Sequence, residues 1–379
     1  MNSSKKEKFS LKDDLFNAEK VEKIAYEIKE VYATFDASNF SNETLKIFPK
    51  LELKERIYHI RDMLKKYLPR DYQDAVNVLL KALPPELDHR KVDDDFGDFI
   101  YAPYSEYVAA YGCCDAYLIF SLQALREITK RFSVEYAVRD FINAYPNETL
   151  AMLKECAKSE NYHERRLASE GLRPKLPWAK KLTIDYQLPF AHLDLLYGDS
   201  TRYVTRSVAN HLNDIAKIDA PLVVNTLKRW KKTNKQDSKE MAFIISHALR
   251  TLVKVGNVEA LEMLGYKSNP AIKVYDFCIT KSVVKVGESL VFSFEIEAKE
   301  DEALMVDYII YFQTKAGKQS PKVHKLKKLT LKKAESIRVT KKHPFKANMS
   351  TRILYAGEHR VELQINGKVY ADTVFELLL

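Results

Sequence analysis

The sequence predicts two folds in series, an all-α HEAT-like α-solenoid over residues 11–270 and an all-β immunoglobulin-like sandwich over 271–379, with a flexible N-terminus of residues 1–10. Three observations carry this. Amphipathic helical patterns recur at intervals of roughly 30 to 40 residues as far as Pro270, which is the spacing of stacked helix pairs. Beyond Pro270 the period falls to two, with β-branched and aromatic residues alternating through 289–297, 306–313 and 336–340. Asn366-Gly367 then separates two alternating runs, 361–365 and 368–375, and Asn-Gly favours the type I′ turn that matches strand twist. About seven strands in roughly a hundred residues fit a sandwich.

In chain order, helices are expected over 15–31, over 53–67 with a stop at Pro69, and over 72–83 with a stop at Pro84 and Pro85. The stretch 93–111 is aromatic and lacks periodicity, so it reads as a loop with one brief helix. Helical patterns resume over 117–130, 134–144 and 149–157. Residues 164–172 form the next helix, ended by Gly171 and Pro174, and Pro177 sits where a first-turn proline would open another, with Trp178 beside it. Three more helices follow over 203–217, 221–232 and 239–255.

Three of these helices carry polar stripes. Arg166, Glu170 and Arg173 recur at helical spacing, as do Arg206, Asn210 and Asp214, and Arg131, Glu135 and Arg139. In a stacked array such stripes align into a groove suited to an anionic polymer. The residues alone leave a second reading open, because buried ladders of arginine and carboxylate between neighbouring helices would give the same pattern. By periodicity alone Trp178 is a core aromatic.

The net charge of +9 is unevenly spread. Residues 315–346 hold twelve Lys and Arg against one acid, Glu335, and residues 161–270 hold eighteen against eleven. Both are candidate phosphate-binding surfaces, although edge lysines that keep strands from pairing would account for some of the first group. No run approaches the ~20 apolar residues of a membrane span, and the N-terminus lacks the apolar core of a signal peptide, so a cytoplasmic location is expected. Cys113, Cys114, Cys156 and Cys278 show no metal-ligand spacing. His211 and His247 have no second ligand at metal spacing, and Ser169, Ser207 and Ser246 have no paired base. No metal, no cofactor and no covalent nucleophile are expected.

The order Arg-Arg-Leu-Ala-Ser-Glu-Gly-Leu-Arg-Pro-Lys-Leu-Pro-Trp over 165–178, then Arg-Ser-Val-Ala-Asn-His-Leu-Asn-Asp-Ile-Ala-Lys over 206–217, resembles the AlkC-type bacterial DNA alkylation repair glycosylases. Residues 132–139 and 51–57 are similar to that family too, and the β region resembles the immunoglobulin-like module of one subgroup. The resemblance implies a monomeric DNA glycosylase that removes 3-methyladenine and 3-methylcytosine from duplex DNA without drawing the base into a pocket. It implies that Glu135, Glu170 and Asp214 are the active-site carboxylates, that Trp178 is an aromatic wall with Tyr136 beside it, and that Arg166, Arg173 and Arg206 handle phosphates. Asn210 shares that stripe, and Lys325, Lys327, Lys328 and Lys332 would extend the grip on DNA. Two positions depart from the family pattern: Tyr136 replaces a more usual phenylalanine, and Asp140 stands where a proline often follows the arginine.

The chemistry suits these residue types. A base methylated at N3 is cationic and leaves as a neutral molecule, so the barrier lies in the cationic sugar. A carboxylate near C1′ stabilises that charge and can position water. Asp214 and Glu170 are the expected pair, with Glu135 in support. The competing class is a non-catalytic HEAT-repeat DNA-binding or scaffold protein, which would use the same cations and lose nothing when the carboxylates are neutralised.

Overall fold

Local caps start most of the early helices. Asn17 accepts from the Lys20 N–H and opens α2 (Ala18–Val31), so the helix expected over 15–31 starts at Ala18, and a separate short helix, α1 (Leu11–Leu15), precedes it. Asp36 caps α3 (Ala37–Ile47), a helix that the sequence patterns above do not predict. A capping box of Glu52 and Glu55 opens α4 (Leu53–Tyr67), and Asp71 opens α5 (Tyr72–Lys81). The computed structural model describes residues 10–88, 96–347 and 352–379; the N-terminal tail expected over 1–10 lies outside them, Ser10 apart.

The loop expected over 93–111 is corrected from residue 96 on. It contains a 3₁₀ turn at Phe99–Tyr101 and the full helix α6 (Ala102–Gly112). Eight of the eleven residues of α6 are buried, Tyr104 and Tyr107 included. A helix enclosed on all sides has no polar face and hence no periodicity to read.

After α7 (Leu118–Thr129), the helix expected over 134–144 begins only at Val138, as α8 (Val138–Ala144). Ser133 Oγ donates to Glu135 Oε2 at 2.8 Å, and Phe132 bridges to Gly97, so side chain and backbone are engaged outside the helix. The stripe expected from Arg131, Glu135 and Arg139 therefore does not exist: Arg131 bonds the Pro84 carbonyl and Glu127.

α9 (Pro146–Cys156), α10 (Tyr162–Glu170), α11 (Phe190–Leu196) and α12 (Arg202–Ile215) follow, with α10 packed against both α9 and α12. No helix starts at Pro177; residues 171–189 form a chain of turns. Pro174 and Pro177 bar helical backbone at the residues before them, and Trp178 itself has φ +63°. α13 (Ala220–Thr233) is as expected, but the helix over 239–255 divides into α14 (Ser238–Ala248) and α15 (Arg250–Lys254), before α16 (Val258–Met263).

Eight strands follow among the described residues: β1 (Ile272–Ile279), β2 (Val283–Lys285), β3 (Ser289–Ala298), β4 (Glu302–Gln313), β5 (Gln319–Leu331), β6 (Ser336–Pro344), β7 (Gly357–Ile365) and β8 (Lys368–Leu378). They form a three-stranded sheet, β1-β3-β6, and a five-stranded sheet, β2-β8-β7-β4-β5. Alternate residues of both sheets, among them Phe292, Phe294, Tyr308, Ile310, Leu363 and Phe375, make one core. The expected Asn-Gly hairpin joins β7 to β8, with positive φ at Asn366 (45°) and Gly367 (80°). Gly367 is needed twice over, because a Cβ there would meet the Gly256 Cα at 2.2 Å. By packing, the chain forms two compact units, Met1–Ile215 with Thr233–Ile244, and Ala216–Lys232 with Ile245–Leu379.

Candidate active site

The last turn of α10 and the middle of α12 face each other across a cleft of about 300 Å³. Glu170 is its central anion. Its Oε1 accepts from Arg173 Nη1 at 2.7 Å, its Oε2 accepts from Ser207 Oγ at 2.6 Å, and Arg166 Nη2 stands 3.7 Å away. Burial alone would raise this carboxyl, but the Arg166 and Arg173 charges and the Ser207 hydroxyl hold it below the ordinary carboxylate range.

Arg173 reaches a second carboxylate. Its Nε and Nη2 lie 3.0 and 2.9 Å from Asp214 Oδ2, so one guanidinium spans Glu170 and Asp214. Asp214 is buried and joins the cleft through this arginine rather than lining it. Arg166 makes the matching link to Glu135, with Nη1 at 2.7 Å from Oε2 and 2.8 Å from Ser133 Oγ, while its guanidinium stacks 4.5 Å from the Tyr203 ring. Three carboxylates and two arginines thus form one continuous network. Removing one partner from such a site would leave a buried charge uncompensated, which is costly.

This geometry redistributes the roles expected from the motifs. Arg166 and Arg173 are buried among carboxylates instead of being displayed toward solvent. Arg206 and Asn210, both half-buried on α12, line the cleft, as does Tyr136, whose phenol is pushed up to about 12 by burial and by Glu135. Lys325, Lys327 and Lys328 lie exposed on β5, and Lys332 in the turn after it pairs with Asp301. β5 is an edge strand of its sheet and so is β6, which places most of the basic segment where unpaired backbone needs protection as well.

Trp178 is 70% exposed, against the core position that periodicity favoured. Its loop is held from several sides. Lys54 Nζ donates to the Trp178 carbonyl and lies 5.6 Å from the Tyr136 ring. The buried Arg139 of α8 donates to the carbonyls of Gly171 (3.0 Å), Arg173 (2.9 Å) and Lys180 (2.6 Å), tying both ends of the loop together. Asn143, one turn further along α8, donates to the Lys181 carbonyl. The indole thus sits in left-handed backbone, exposed to solvent at the rim of the cleft.

Several cleft residues escaped sequence reasoning: Phe96, Leu176, Tyr203, Ser207 and the Ser133 hydroxyl that orients Glu135. Tyr203 lies just ahead of the second motif and could have been found there; Phe96 comes from a distant segment, and no local pattern marks it. His211 is buried, bonded to the Ser169 carbonyl and pushed down to about 3 by burial, which leaves it neutral and structural.

Residues 273–379 match a family model described as the C-terminal Ig-like domain of the uncharacterised protein YhaZ. Over 369 residues the chain is 32% identical to the uncharacterised protein YhaZ of Bacillus subtilis strain 168, covering 96% of this chain and 98% of that one. Among solved structures it matches the Pseudomonas fluorescens alkylpurine DNA glycosylase AlkC bound to DNA containing an abasic site analogue, with TM-score 0.87 and 32% identity over 98% of this chain and 100% of that chain.

Proposed function

The chain belongs to the family that includes YhaZ and the AlkC glycosylase, and from that premise we propose that it is a DNA glycosylase for alkylated bases, hydrolysing the N-glycosidic bond of cationic N3-alkylated bases such as 3-methyladenine and 3-methylcytosine in duplex DNA. The observation that carries this reading is the pair Glu170 and Asp214, held by Arg173 beside an exposed Trp178. A carboxylate held anionic by its arginines, as Glu170 is, is what a developing sugar cation requires. No acid is needed for the leaving group, since an N3-alkylated base departs neutral.

In this reading Glu170 faces C1′ and stabilises the oxocarbenium charge, and Asp214 holds or deprotonates water once Arg173 shifts toward the DNA backbone. Glu135 supports both through Arg166. Trp178 lies against the deoxyribose or the cationic base, a contact worth ~0.5 to 2 kcal/mol as cation–π attraction. Arg206 and Asn210 contact the backbone, and the lysines of β5 add sequence-independent affinity. An exposed wall beside an open cleft favours chemistry on a lesion that is not swallowed in a pocket, unlike ordinary base flipping.

The test is chromatographic detection of free 3-methyladenine and 3-methylcytosine released from methylated duplex DNA by the wild type and by Asp214→Asn. Release by the wild type alone supports the glycosylase and the role of Asp214. Release by neither, with DNA still bound, favours the alternative of a non-catalytic DNA-binding or scaffold protein.

A further inference from the structure

Tyr136 and Trp178 have a second side. Besides the carboxylate cleft they line a smaller cavity of about 80 Å³, walled by Leu53, Ile57 and Tyr58 of α4 and by Phe99, with Glu106 of α6 contributing a carboxyl. None of this cavity is used by the mechanism above, apart from the two shared rings.

Three features define what it would accept. Glu106 makes no hydrogen bond among the described residues, and burial, then the nearby Asp140 carboxylate, raise its pKa. A polar group is therefore kept without a hydrogen-bond partner. The cations at the rim are already engaged, Lys54 with the Trp178 carbonyl and Lys180 with Asp140, so nothing there is free to take a phosphate. The size suits several waters or one six-membered ring.

We propose that this cavity is a nucleobase site that takes a single-ring base bearing an exocyclic amine, cytosine or 3-methylcytosine, with its ring against Trp178 and Tyr136 and its N–H edge on the Glu106 carboxyl. The inference rests on the reading of the chain as a glycosylase of alkylated DNA and deepens it, adding a base-recognition site beside the sugar-directed cleft. The shared chemistry has two sources, a base freed by hydrolysis or an unstacked base still attached to the strand. Amine recognition also gives discrimination: uracil and thymine present a carbonyl at C4 where cytosine presents its exocyclic N–H, and so lose that contact with Glu106.

The chain supplies its own reporter. Of its two tryptophans, Trp230 is 1% exposed and Trp178 is 70% exposed, so quenching by added base reads Trp178. Full-length protein is titrated with free cytosine, 3-methylcytosine and uracil, and separately bound to abasic-analogue duplexes carrying a fluorescent cytosine analogue next to the gap. The expected result is saturable quenching by the amino bases, weakened at least about tenfold for uracil and in Glu106→Leu. In Glu106→Gln, which keeps an acceptor oxygen, most of the binding returns. Tyr58→Ala, on the α4 wall, gives the same loss if Glu106→Leu does not fold.

The two arms separate the sources. Quenching by free base identifies the released product as the occupant, whereas Glu106-dependent brightening of the analogue in DNA without free-base binding identifies a base of the strand. Binding indifferent to the amine or to Glu106, or silence in both arms, overturns the proposal. Base release from methylated duplex is followed in parallel: excision with no Glu106-dependent binding removes this inference alone, and Glu106-dependent binding with no excision removes the glycosylase reading alone.

Discussion

Glu170 and Asp307 are equally hidden carboxylates with opposite fates. Glu170 is 5% exposed and sits between two arginines and a serine, which hold it ionised. Asp307, on β4, is 3% exposed, and its Oδ1 has no hydrogen-bond partner among the described residues; burial pushes it up to about 6, with Lys325 and Lys254 opposing only weakly. Burial by itself raises a carboxyl's pKa toward neutrality. A buried carboxyl stays an anion where cations stand within hydrogen-bond distance, as Arg173 does beside Glu170, and among the described residues none stands so beside Asp307.

The sharpest way to break that comparison is to remove the cation. Arg173→Met should strand Glu170 and Asp214 together, costing about 3–5 kcal/mol of stability in denaturant melts and abolishing excision. A stability change under about 1 kcal/mol would mean that the network is not coupled as described. Glu170→Gln keeps the shape and removes the charge, so single-turnover base release should fall by roughly 10²- to 10³-fold while DNA affinity holds. Equal release by variant and wild type would leave the cleft without a catalytic anion.

Asp307 gives the opposite sign. A carboxyl whose folded pKa is raised binds its proton more tightly when folded, so its ionisation destabilises the fold progressively as pH rises from the unfolded value of 3.8 to about 6. Asp307→Asn should therefore stabilise the protein at pH 7.5, by up to about 3 kcal/mol, and have little effect at pH 3.5. A variant less stable than wild type at pH 7.5 would show that Asp307 has a partner when charged. Glu170 has the ordinary carboxylate sign, its contribution being present above the unfolded pKa and lost as pH falls through the lowered folded value.

The smallest effects belong to the edge lysines. Changing Lys325, Lys327, Lys328 and Lys332 to serine should flatten the dependence of log affinity on log salt by about 0.9 for each phosphate no longer neutralised, with excision at saturating DNA unaltered. Increased aggregation with an unchanged salt slope would assign these lysines to edge protection alone.

How much of this is legible in the sequence differs between the two regions for one physical reason. Period-two alternation and Asn366-Gly367 are local signals, and the sandwich and its last hairpin follow from them because turn geometry fixes strand pairing. The family motifs, read from sequence, named Glu135, Glu170, Asp214 and Trp178, and the structure brings the first three into one network with Trp178 at its rim. Helical spacing misled at Glu135, where Ser133 and the Gly97 bridge hold a turn, and at Trp178, where two prolines and Arg139 hold a loop. Helix α6 was invisible because a face cannot be read where there is none. Sequence by itself determined the order of the two folds, the residue types at the site and the positions of most helices, since those rest on contacts within a few residues. Only the tertiary structure decided that Arg166 and Arg173 face carboxylates, that Trp178 faces solvent and that Glu106 opens into a cavity beside it. Each of those depends on which distant segment supplies the partner, and hydrogen bonds between segments far apart in sequence leave no periodic trace in the chain that makes them.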